Sequence, residues 1–551
     1  MDQIDSMLRR ETAEAPVRAA ANPRALIAVA ALFATVTNAI AFMLPPLLPV
    51  ITTSYAHNSV SAATWVFSAL TLGGGAGFVL IPRLTDILSE RAVTLLSGAF
   101  LTGGALVAAV LDSYPALIVG SVLLGFGGAA VMVPVSFLRR HLAGSGVSTA
   151  VMVLIMATGS GVVLGMVGGG VSVRLWPLPD HLNPDGSLPS LSIAPFFYLL
   201  AVLFVLTTVA MLVVVPSAPP TSSGRIGVLG TVWLIGWVTL VLLAFSAPAD
   251  TAIGRNATTM LGIGIVAAIG WVFAERRSSR PVFDLSVLRK PYVTTACLAS
   301  LLFGCVDAAF LVLVNYYAQN PTGLPASTNG GATGWPAHVA QYGLGYDPLQ
   351  TSLLMLPFAL TMFISGRFSE RLIARGRPGL ILVGGAAICA VGLLFLAVAH
   401  DQAWEYLVGS GIVGLGSRAG YSASFAIPQF VVPEEQAGMA SAMPGTLMAI
   451  GFAVGAAVVT VVQNGSGFVY HSVDVASMLA GKLDPAAVNL KMSDYLLEGA
   501  HFPSAGTYTT GYLVAVGFPA LVLLASLISR LRHPSGFPKV SEEHAQVHPP
   551  V

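Results

Sequence analysis

The chain has 551 residues, of which 55% are hydrophobic and only 9% are charged. Soluble domains carry about a quarter charged residues, so this composition excludes a water-soluble protein. The formal net charge of +1, with lysines and arginines scattered over short segments, excludes the basic face of a nucleic-acid-binding protein.

The amino-terminal segment 1–24 mixes acids and bases and has no apolar core. We therefore expect a cytoplasmic leader and not a cleaved signal peptide. The three cysteines of the chain lie inside apolar runs, where they are expected to pack as small hydrophobic residues. No spacing of cysteines or histidines suggests a metal site, and we expect neither a metal nor a cofactor.

Long apolar runs follow along the whole chain. A helix needs about 20 apolar residues to cross the hydrocarbon core of a bilayer. Fourteen runs meet this condition, and the weakest is the short run that contains Pro357. The predicted spans are 25–52, 63–82, 92–111, 115–138, 147–171, 194–216, 227–246, 257–274, 292–317, 350–366, 378–399, 403–428, 438–463 and 507–530.

The orientation of these spans follows from the basic residues. Most of the 26 lysines and arginines fall on one side of the predicted membrane, which the positive-inside rule assigns to the cytoplasm. We therefore expect a multi-pass protein of the cell (inner or plasma) membrane with both termini in the cytoplasm. Two long outer segments result, an irregular one at 318–349 and one at 464–506 that includes a predicted amphipathic helix at 484–499.

The fourth and twelfth spans share a sequence pattern. V-G-S at 119–121, with glycines at 125 and 127, recurs as V-G-S at 408–410 with glycines at 414 and 416. The same order and direction in both halves indicate a parallel duplication of six-helix units, which is typical of transporters with a substrate site between the halves. The predicted organisation is a leader at 1–24, bundles at 25–216 and 291–530, two inserted helices and a junction at 217–290, and a cytoplasmic tail at 531–551.

A second repeated sequence pattern occurs in two segments on the predicted cytoplasmic side. Asp86 and Arg91 are five residues apart after the second span, and Glu370 and Arg375 are five apart after the tenth. Because the pattern is repeated, we expect these four residues to act in gating; the alternative is that they are ordinary solvated charges of a loop.

Several motifs resemble one known family. E-R-R at 275–277 with R-P-V-F-D-L at 280–285, L-G-Y-D-P at 344–348 and L-P at 356–357 resemble the fourteen-span drug:proton antiporter branch of the major facilitator superfamily. This resemblance implies an all-α polytopic membrane protein with the major facilitator fold, in which two parallel six-helix bundles flank two inserted helices. It implies transport by alternating access and no enzymatic activity.

Four glycines in the fifth span match the spacing of the family's antiporter motif, with Met166 where that motif usually has proline. They are Gly161, Gly165, Gly169 and Gly170. Glycine spacing alone also predicts close helix packing. Other positions depart from the family: Pro82 and Ser89 replace glycines of the gate motif, Ser121 replaces a membrane arginine, and the first span has no aspartate.

Two charged residues stand inside predicted spans, Asp307 in the ninth and Arg418 in the twelfth. A charge at mid-bilayer costs about 2.5–3.5 kcal/mol on insertion scales, so such residues pair or line a wet cavity. Asp307 is either the site that binds the coupling proton or half of a structural pair. Arg418 either binds an anionic substrate or pairs with Asp307.

Weaker candidates for a substrate-binding surface lie on single faces of spans one, nine and twelve. They are Thr35, Asn38, Phe42, Ser300, Asn315, Tyr421 and Ser422. For each of them ordinary helix packing is the alternative interpretation.

The sequence thus predicts a secondary active transporter that exports small hydrophobic or amphipathic organic compounds, driven by inward proton flow. One alternative is a facilitator or importer of an organic anion that uses Arg418 as counter-ion, and another is a non-transporting sensor or lipid-handling protein. We expect a monomer whose partners are the substrate, the proton and the bilayer, and no nucleic acid.

Overall fold

The computed structural model describes most of the chain. The described residues are 23–56, 59–134, 138, 145–175, 192–215, 228–246, 255–278, 285–288, 290, 292–320, 342–431, 437–465, 467–469 and 501–532.

Long apolar helices build the molecule, because only a helix satisfies every backbone polar group of an apolar segment from within. The first half consists of α1 (Pro23–Met43), a 3-10 turn (Pro45–Leu47), α2 (Leu48–Ser54), α3 (Val60–Ile87), α4 (Glu90–Leu111), α5 (Tyr114–Gly128), a second 3-10 turn (Ala129–Met132), α6 (Ser145–Leu175) and α7 (Ala194–Val214). Between the halves lie α8 (Val228–Ser246), α9 (Ala257–Arg277) and the short α10 (Leu285–Leu288). The second half consists of α11 (Val293–Gln319), α12 (Pro348–Leu354), α13 (Leu356–Ala374), α14 (Pro378–Val398), α15 (Ala403–Val431), α16 (Ala437–Asn464) and α17 (Ala505–Arg532).

Twelve helical stretches of the described chain are long and apolar enough to cross a membrane. The all-helical membrane architecture predicted from the sequence is therefore confirmed. The count of fourteen stays a prediction, because α8 provides only a shorter apolar helix at Leu229–Ala244 and α15 is not among the twelve.

Prolines interrupt two of the predicted spans. The first span breaks at Pro45 and Pro46, which form a short 3-10 turn between α1 and α2. The tenth breaks beside Pro357, where α12 ends at Leu354 and α13 begins at Leu356. Proline has no N–H to donate and clashes with the preceding turn, so each run is divided into two helices where the sequence alone suggested one.

A small two-stranded antiparallel sheet lies in the segment predicted as the second outer connection. Strands β1 (Gly467–Val469) and β2 (His501–Pro503) pair antiparallel, with Phe468 opposite Phe502. The amphipathic helix predicted at 484–499 lies outside the described residues.

The glycines of the repeated V-G-S pattern make the same contacts in both halves. A Cβ on Gly125 would collide with the backbone of Leu70 on α3, and one on Gly414 with the backbone of Phe358 on α13. Gly127 packs in the same way on α4, and Gly416 on α14. The repeated sequence therefore coincides with a repeated packing, in which glycine lets helices approach backbone to backbone.

A tyrosine–aspartate hydrogen bond also occurs at matching places in the two halves. Tyr55, after α2, donates to Asp112 Oδ1 at 2.6 Å, and Tyr317, near the end of α11, donates to Asp401 Oδ1 at 2.9 Å. Each aspartate stands two residues before the next helix begins. Burial and the neighbouring Asp112 raise the pKa of Tyr55 to about 12, so its phenol stays protonated and donates.

The inserted helices lie over a seam between the halves. The two halves meet along α3 and α16, and α8 packs against both of these helices. Ile235 of α8 lies beside Gly75 of α3, which in turn faces Ala449 of α16. Helix α9 packs on α8, where the indole N–H of Trp271 donates to the Gly230 carbonyl at 3.0 Å.

We predict that Tyr55→Phe and Tyr317→Phe each destabilise the protein by about 1–2 kcal/mol, because each removes a hydrogen bond to a carboxylate. The measurement is the apparent melting temperature in detergent. Tyr198→Phe is the control, since that tyrosine is 46% exposed on α7. Equal melting temperatures for the three variants would show that the two bonds do not hold the helix ends.

Candidate functional site

Asp307 is fully buried, with 0% exposure, in the middle of α11. Ser417 on α15 donates to its Oδ1 at 2.5 Å. The same hydroxyl lies 3.5 Å from the sulfur of Cys389 on α14, and the thiol interacts electrostatically with the carboxyl group. One carboxyl oxygen is therefore held at the junction of three helices.

The other carboxyl oxygen is less well satisfied. Asp307 Oδ2 and the hydroxyl of Tyr421 are both buried and have no hydrogen-bond partner of ordinary geometry within the described chain. The two groups interact electrostatically, and the Tyr421 ring lies 5.9 Å from that of Phe303. The Tyr421 hydroxyl is therefore the neighbour of Asp307 on the side away from Ser417, close enough to interact but not in ordinary hydrogen-bond geometry.

Among the described residues, the groups that interact with Asp307 belong to the second half. They are Ser417 and Tyr421 on α15, Cys389 on α14, and Phe303 on α11 through its contact with Tyr421. No cation stands among them. The acid therefore lies inside the second bundle in this conformation, behind the surface that faces the first half.

Arg418 does not pair with Asp307. Its guanidinium lies over Gly366 of α13, where a Cβ would be 3.2 Å from Nε, and it interacts electrostatically with Glu370. The predicted alternative in which the two charges pair is therefore not what the structure shows, because the two side chains have different partners. Arg418 is partly exposed.

Three of the predicted substrate-binding side chains join helices within one half. Thr35 donates to the Ala157 carbonyl at 3.0 Å and Asn38 to the Thr158 carbonyl at 2.7 Å, so both connect α1 to α6. Ser300 donates to the Pro444 carbonyl at 2.7 Å and connects α11 to α16. Each of these groups has a backbone partner, which favours the packing interpretation.

Of the remaining candidates for substrate binding, two are buried and one is partly exposed. Phe42 is 7% exposed in the core, and Asn315 donates to the Leu311 carbonyl at 2.7 Å and faces the sulfur of Met355. Ser422 is partly exposed, one turn along α15 from Arg418. Of the predicted set, Arg418 and Ser422 therefore share a partly open face of α15.

The glycines of the predicted antiporter motif are a packing surface. A Cβ on Gly161, Gly165 or Gly169 would collide with the backbone of α1 at Thr35, Ala39 or Met43. Gly170 instead faces Pro348, Leu349 and Ser352 of the other half.

Sequence reasoning missed the counterpart of this motif in the second half. A Cβ on Gly451 would collide with the Leu301 carbonyl of α11, and one on Gly455 with that of Cys305. The signal was present, because these two glycines are four residues apart, as Gly161 and Gly165 are. The helix pairs α1–α6 and α11–α16 are thus packed in the same way, with glycines four residues apart against the backbone of the facing helix.

The predicted gate residues are placed only in part. The side chain of Asp86 lies outside the described part of the structure, although residue 86 falls within α3. Arg91 donates from Nε to the Val215 carbonyl at 2.8 Å and so connects α4 to the end of α7. Glu370 and Arg375 are exposed near the end of α13. Ser89, at a family glycine position, caps α4 by accepting from the Ala92 N–H at 3.3 Å.

Four polar contacts join the halves at one end of the molecule, here called the Thr52 end. The hydroxyls of Thr52 and Tyr316 share a hydrogen bond of 2.8 Å, and Gln319 donates to the Pro46 carbonyl at 3.0 Å. Ser352 donates to the Met166 carbonyl at 2.8 Å. Arg174 donates from Nε and Nη2 to Asp347 Oδ2 at 2.8 and 2.6 Å. This end is therefore closed.

The contacts between the halves change towards the opposite end, here called the Glu370 end, where α3 and α13 end. Phe67 and Phe452 pack edge to face at 6.1 Å, and Phe78 lies beside Gly445. Phe363 lies beside Gly159. These contacts are apolar, so hydrogen bonds between the halves concentrate at the Thr52 end among the described residues. Within the same residues, no group of three potential metal ligands is found.

We predict that Gly165→Ala and Gly451→Ala lower the apparent melting temperature to a similar extent. Each methyl group meets a helix backbone that cannot yield, at a cost of about 1–3 kcal/mol or more. Gly103→Ala is the matched control, because a Cβ there meets nothing within 4 Å and alanine favours a helix. Melting at the wild-type temperature for Gly451→Ala alone would show that the two helix pairs are not equivalent.

Known proteins resemble this chain in sequence and in fold. The sequence profile described as Major Facilitator Superfamily matches residues 27–456. The multidrug efflux pump LfrA of Mycolicibacterium smegmatis is 24% identical over 445 residues, which cover 80% of this chain and 80% of the relative. The multidrug resistance protein Stp of Mycobacterium tuberculosis is 24% identical over 406 residues, which cover 72% of this chain and 67% of the relative.

Solved structures show the same fold at low sequence identity. The POT family transporter PepTSo has a TM-score of 0.58 and 15% identity, covering 93% of this chain and 98% of its own. The human organic anion transporter MFSD10 has a TM-score of 0.52, also at 15% identity, covering 92% and 99%. The predicted superfamily is confirmed, whereas its fourteen-span branch stays a prediction. The chain belongs to the major facilitator superfamily of membrane transporters.

Proposed function

We propose that this protein is a secondary active transporter that exports small hydrophobic or amphipathic organic compounds and is driven by protons that bind at Asp307. The observation that carries this proposal is a fully buried carboxyl group on a core helix of a transporter fold, with no cation beside it among the described residues. The relatives named as multidrug pumps support the class of substrate.

The environment of Asp307 supports a proton-binding role. Burying an unpaired carboxylate charge costs far more free energy than burying the neutral acid, so the sealed pocket holds the protonated group. A protonated carboxyl can also donate a hydrogen bond, and the Tyr421 hydroxyl is a neighbouring group that could accept it. Release of the proton then requires that α15 move and let water reach the carboxyl group.

The polarity of the contacts between the halves supports alternating access. The Thr52 end is closed by a few hydrogen bonds and one exposed ion pair, all of which water can replace when the halves separate. On the orientation predicted from the basic residues, this is the outer end of a monomeric protein of the cell membrane with both termini in the cytoplasm. The described conformation is then closed towards the outside.

We predict that Asp307→Asn abolishes transport driven by a pH gradient, because an amide cannot exchange the proton. Substrate exchange without a gradient should persist, since the carboxamide can still accept from Ser417. The measurement is uptake of a fluorescent amphipathic cation into proteoliposomes, with and without an imposed gradient.

Glu405→Gln serves as the control for this experiment. Glu405 also lies on α15, but its carboxylate accepts from the Gln402 N–H at the start of the helix, at 2.8 Å. Gradient-driven transport by Asp307→Asn at the wild-type rate would rule out proton binding at this residue. Gradient-independent flux of an organic anion that is lost in Arg418→Met would favour a facilitator instead.

We predict that Arg174→Ala widens the Thr52 end in part of the population. An exposed ion pair contributes about 0–1 kcal/mol, so the open fraction should rise by no more than about fivefold. The measurement is the distance distribution between spin labels at Ser54 and Tyr346, one in each half. Arg255→Ala, which changes another exposed arginine, should leave the distribution unchanged. Identical distributions for both variants would show that the ion pair does not hold this end closed.

A further inference from the structure

Ser417 does not follow the hydrogen-bond pattern of a buried serine in a helix. Such a hydroxyl usually donates to the backbone carbonyl one turn earlier, as Ser424 does on the same helix at 2.8 Å. The corresponding carbonyl for Ser417 is that of Val413, which accepts from the thiol of Cys389 at 3.6 Å instead. The Ser417 hydroxyl bridges two other groups, Asp307 Oδ1 at 2.5 Å and Cys389 Sγ at 3.5 Å.

Close helix contacts hold Ser417 and its two partners in place. A Cβ on Gly416 would lie 2.7 Å from the sulfur of Cys389, so α14 and α15 touch beside the serine. A Cβ on Gly420 would collide with the ring of Phe303, so α11 also lies directly on α15. The serine and both of its partners are 0% exposed. Their hydrogen atoms can therefore rearrange while the helices stay where they are.

The first half builds the same helix contact without a hydroxyl or a thiol group. There, Gly127 packs on Leu101 of α4. In the second half, Gly416 packs on Cys389 of α14 in the same way. The residue after this glycine is another glycine in the first half and Ser417 in the second. Packing therefore requires neither polar group, and both occur in the half that holds the buried acid.

The charge state of Asp307 decides which way the Ser417 hydroxyl can point. A serine hydroxyl has one hydrogen to donate and two lone pairs that accept. An ionised carboxylate only accepts, so Ser417 then donates to Oδ1 in a charge-assisted bond. A carboxyl group that is protonated on Oδ1 donates to the serine oxygen instead. The serine hydrogen is then free to turn to Cys389 Sγ, whose own hydrogen is directed to Val413.

Oδ1 is the oxygen of Asp307 that has an acceptor in place for a proton. The oxygen of Ser417 lies 2.5 Å from it. Oδ2 has no partner of ordinary hydrogen-bond geometry among the described residues. A buried acid needs an acceptor for its proton, so the geometry favours protonation on Oδ1.

Few titratable groups face Asp307 from the helices around it. They are Cys389 on α14, Tyr421 on α15 and, through Tyr421, Cys305 on α11 itself. Helix α16 has no titratable side chain, and those of α17 lie towards its two ends. Arg418 of α15 interacts with Glu370 instead. The partners of the Ser417 hydroxyl are therefore the acid and one thiol.

We propose that Ser417 is a positioning residue that reverses its hydrogen bond when Asp307 binds a proton, with the thiol of Cys389 as the alternative partner. In the ionised state the hydroxyl donates to the carboxylate. In the protonated state it accepts from the acid and donates to the sulfur. This inference rests on the proposed function, since it takes Asp307 as the proton site.

The experiment records infrared spectra of the full-length protein in liposomes while the pH is varied. The C=O stretch reports the protonated carboxyl group, and the S–H stretch reports the thiol. Asp307→Asn and Cys389→Ala each delete one of these bands and so identify it. We expect both bands to change with the same midpoint in the wild type. The S–H band should lie at lower frequency in the protonated state, because a thiol that accepts a hydrogen bond donates more strongly.

Substitutions of Ser417 separate positioning from a structural role. Ser417→Ala should make the S–H band independent of pH. It should also move the midpoint of the carboxyl band to higher pH by about one unit, because a hydrogen bond to a charged group contributes about a factor of ten in favour of the ionised form. Ser417→Thr keeps the hydroxyl and should restore both properties. Ser424→Ala is the matched control, since that buried serine donates within its own helix.

Two results would overturn the reversal. One is an S–H band that stays constant while the carboxyl band titrates, which would place the proton on Oδ2 beside Tyr421. The other is a carboxyl midpoint that Ser417→Ala leaves unchanged. Either result keeps Asp307 as the proton site. If no titrating carboxyl band disappears in Asp307→Asn, the proposed function fails instead, so the two failures are distinguishable.

Discussion

Close approach of helix backbones at glycine is the constraint on which the structure depends. Lipid tails are as apolar as leucine, so helices in a bilayer gain little by hiding apolar side chains and associate through tight packing instead. Gly161, Gly165 and Gly169 bring α6 onto α1, and Gly451 and Gly455 bring α16 onto α11. These tight pairs fix where every polar side chain of α1 and α11 can point, including that of Asp307.

The two halves share a frame but not a charge pattern. Glycine contacts and a tyrosine–aspartate bond recur at matching places, while the buried acid and the arginine occur in the second half among the described residues. A symmetric frame can reach two related conformations, because each half packs on the other through equivalent helices. Under the proposed function, an asymmetric charge distribution then decides which conformation is favoured at a given proton concentration.

The helices, the duplication and the two intramembrane charges could be predicted from the sequence, because each is a pattern along the chain. The partners of side chains could not. The helical rise of about 1.5 Å per residue gives the position of Asp307 and Arg418 along their helices, but not the rotation of α11 and α15 about their axes, which decides that Arg418 interacts with Glu370 and not with Asp307. Thr35, Asn38 and Ser300 likewise share faces with cavity candidates, yet their hydrogen bonds are set by a neighbouring backbone.

The position of α8 limits how the molecule can change shape. This helix touches α3 and α16, which belong to different halves, and it carries α9 on its outer side. Lipid is thereby kept off that flank of the junction, whereas the flank formed by α6 and α13 has no such cover in the described chain. When one half rotates relative to the other, α8 and α9 must either move with it or slide along its surface. The flank covered by these two helices is therefore more restrained than the flank formed by α6 and α13.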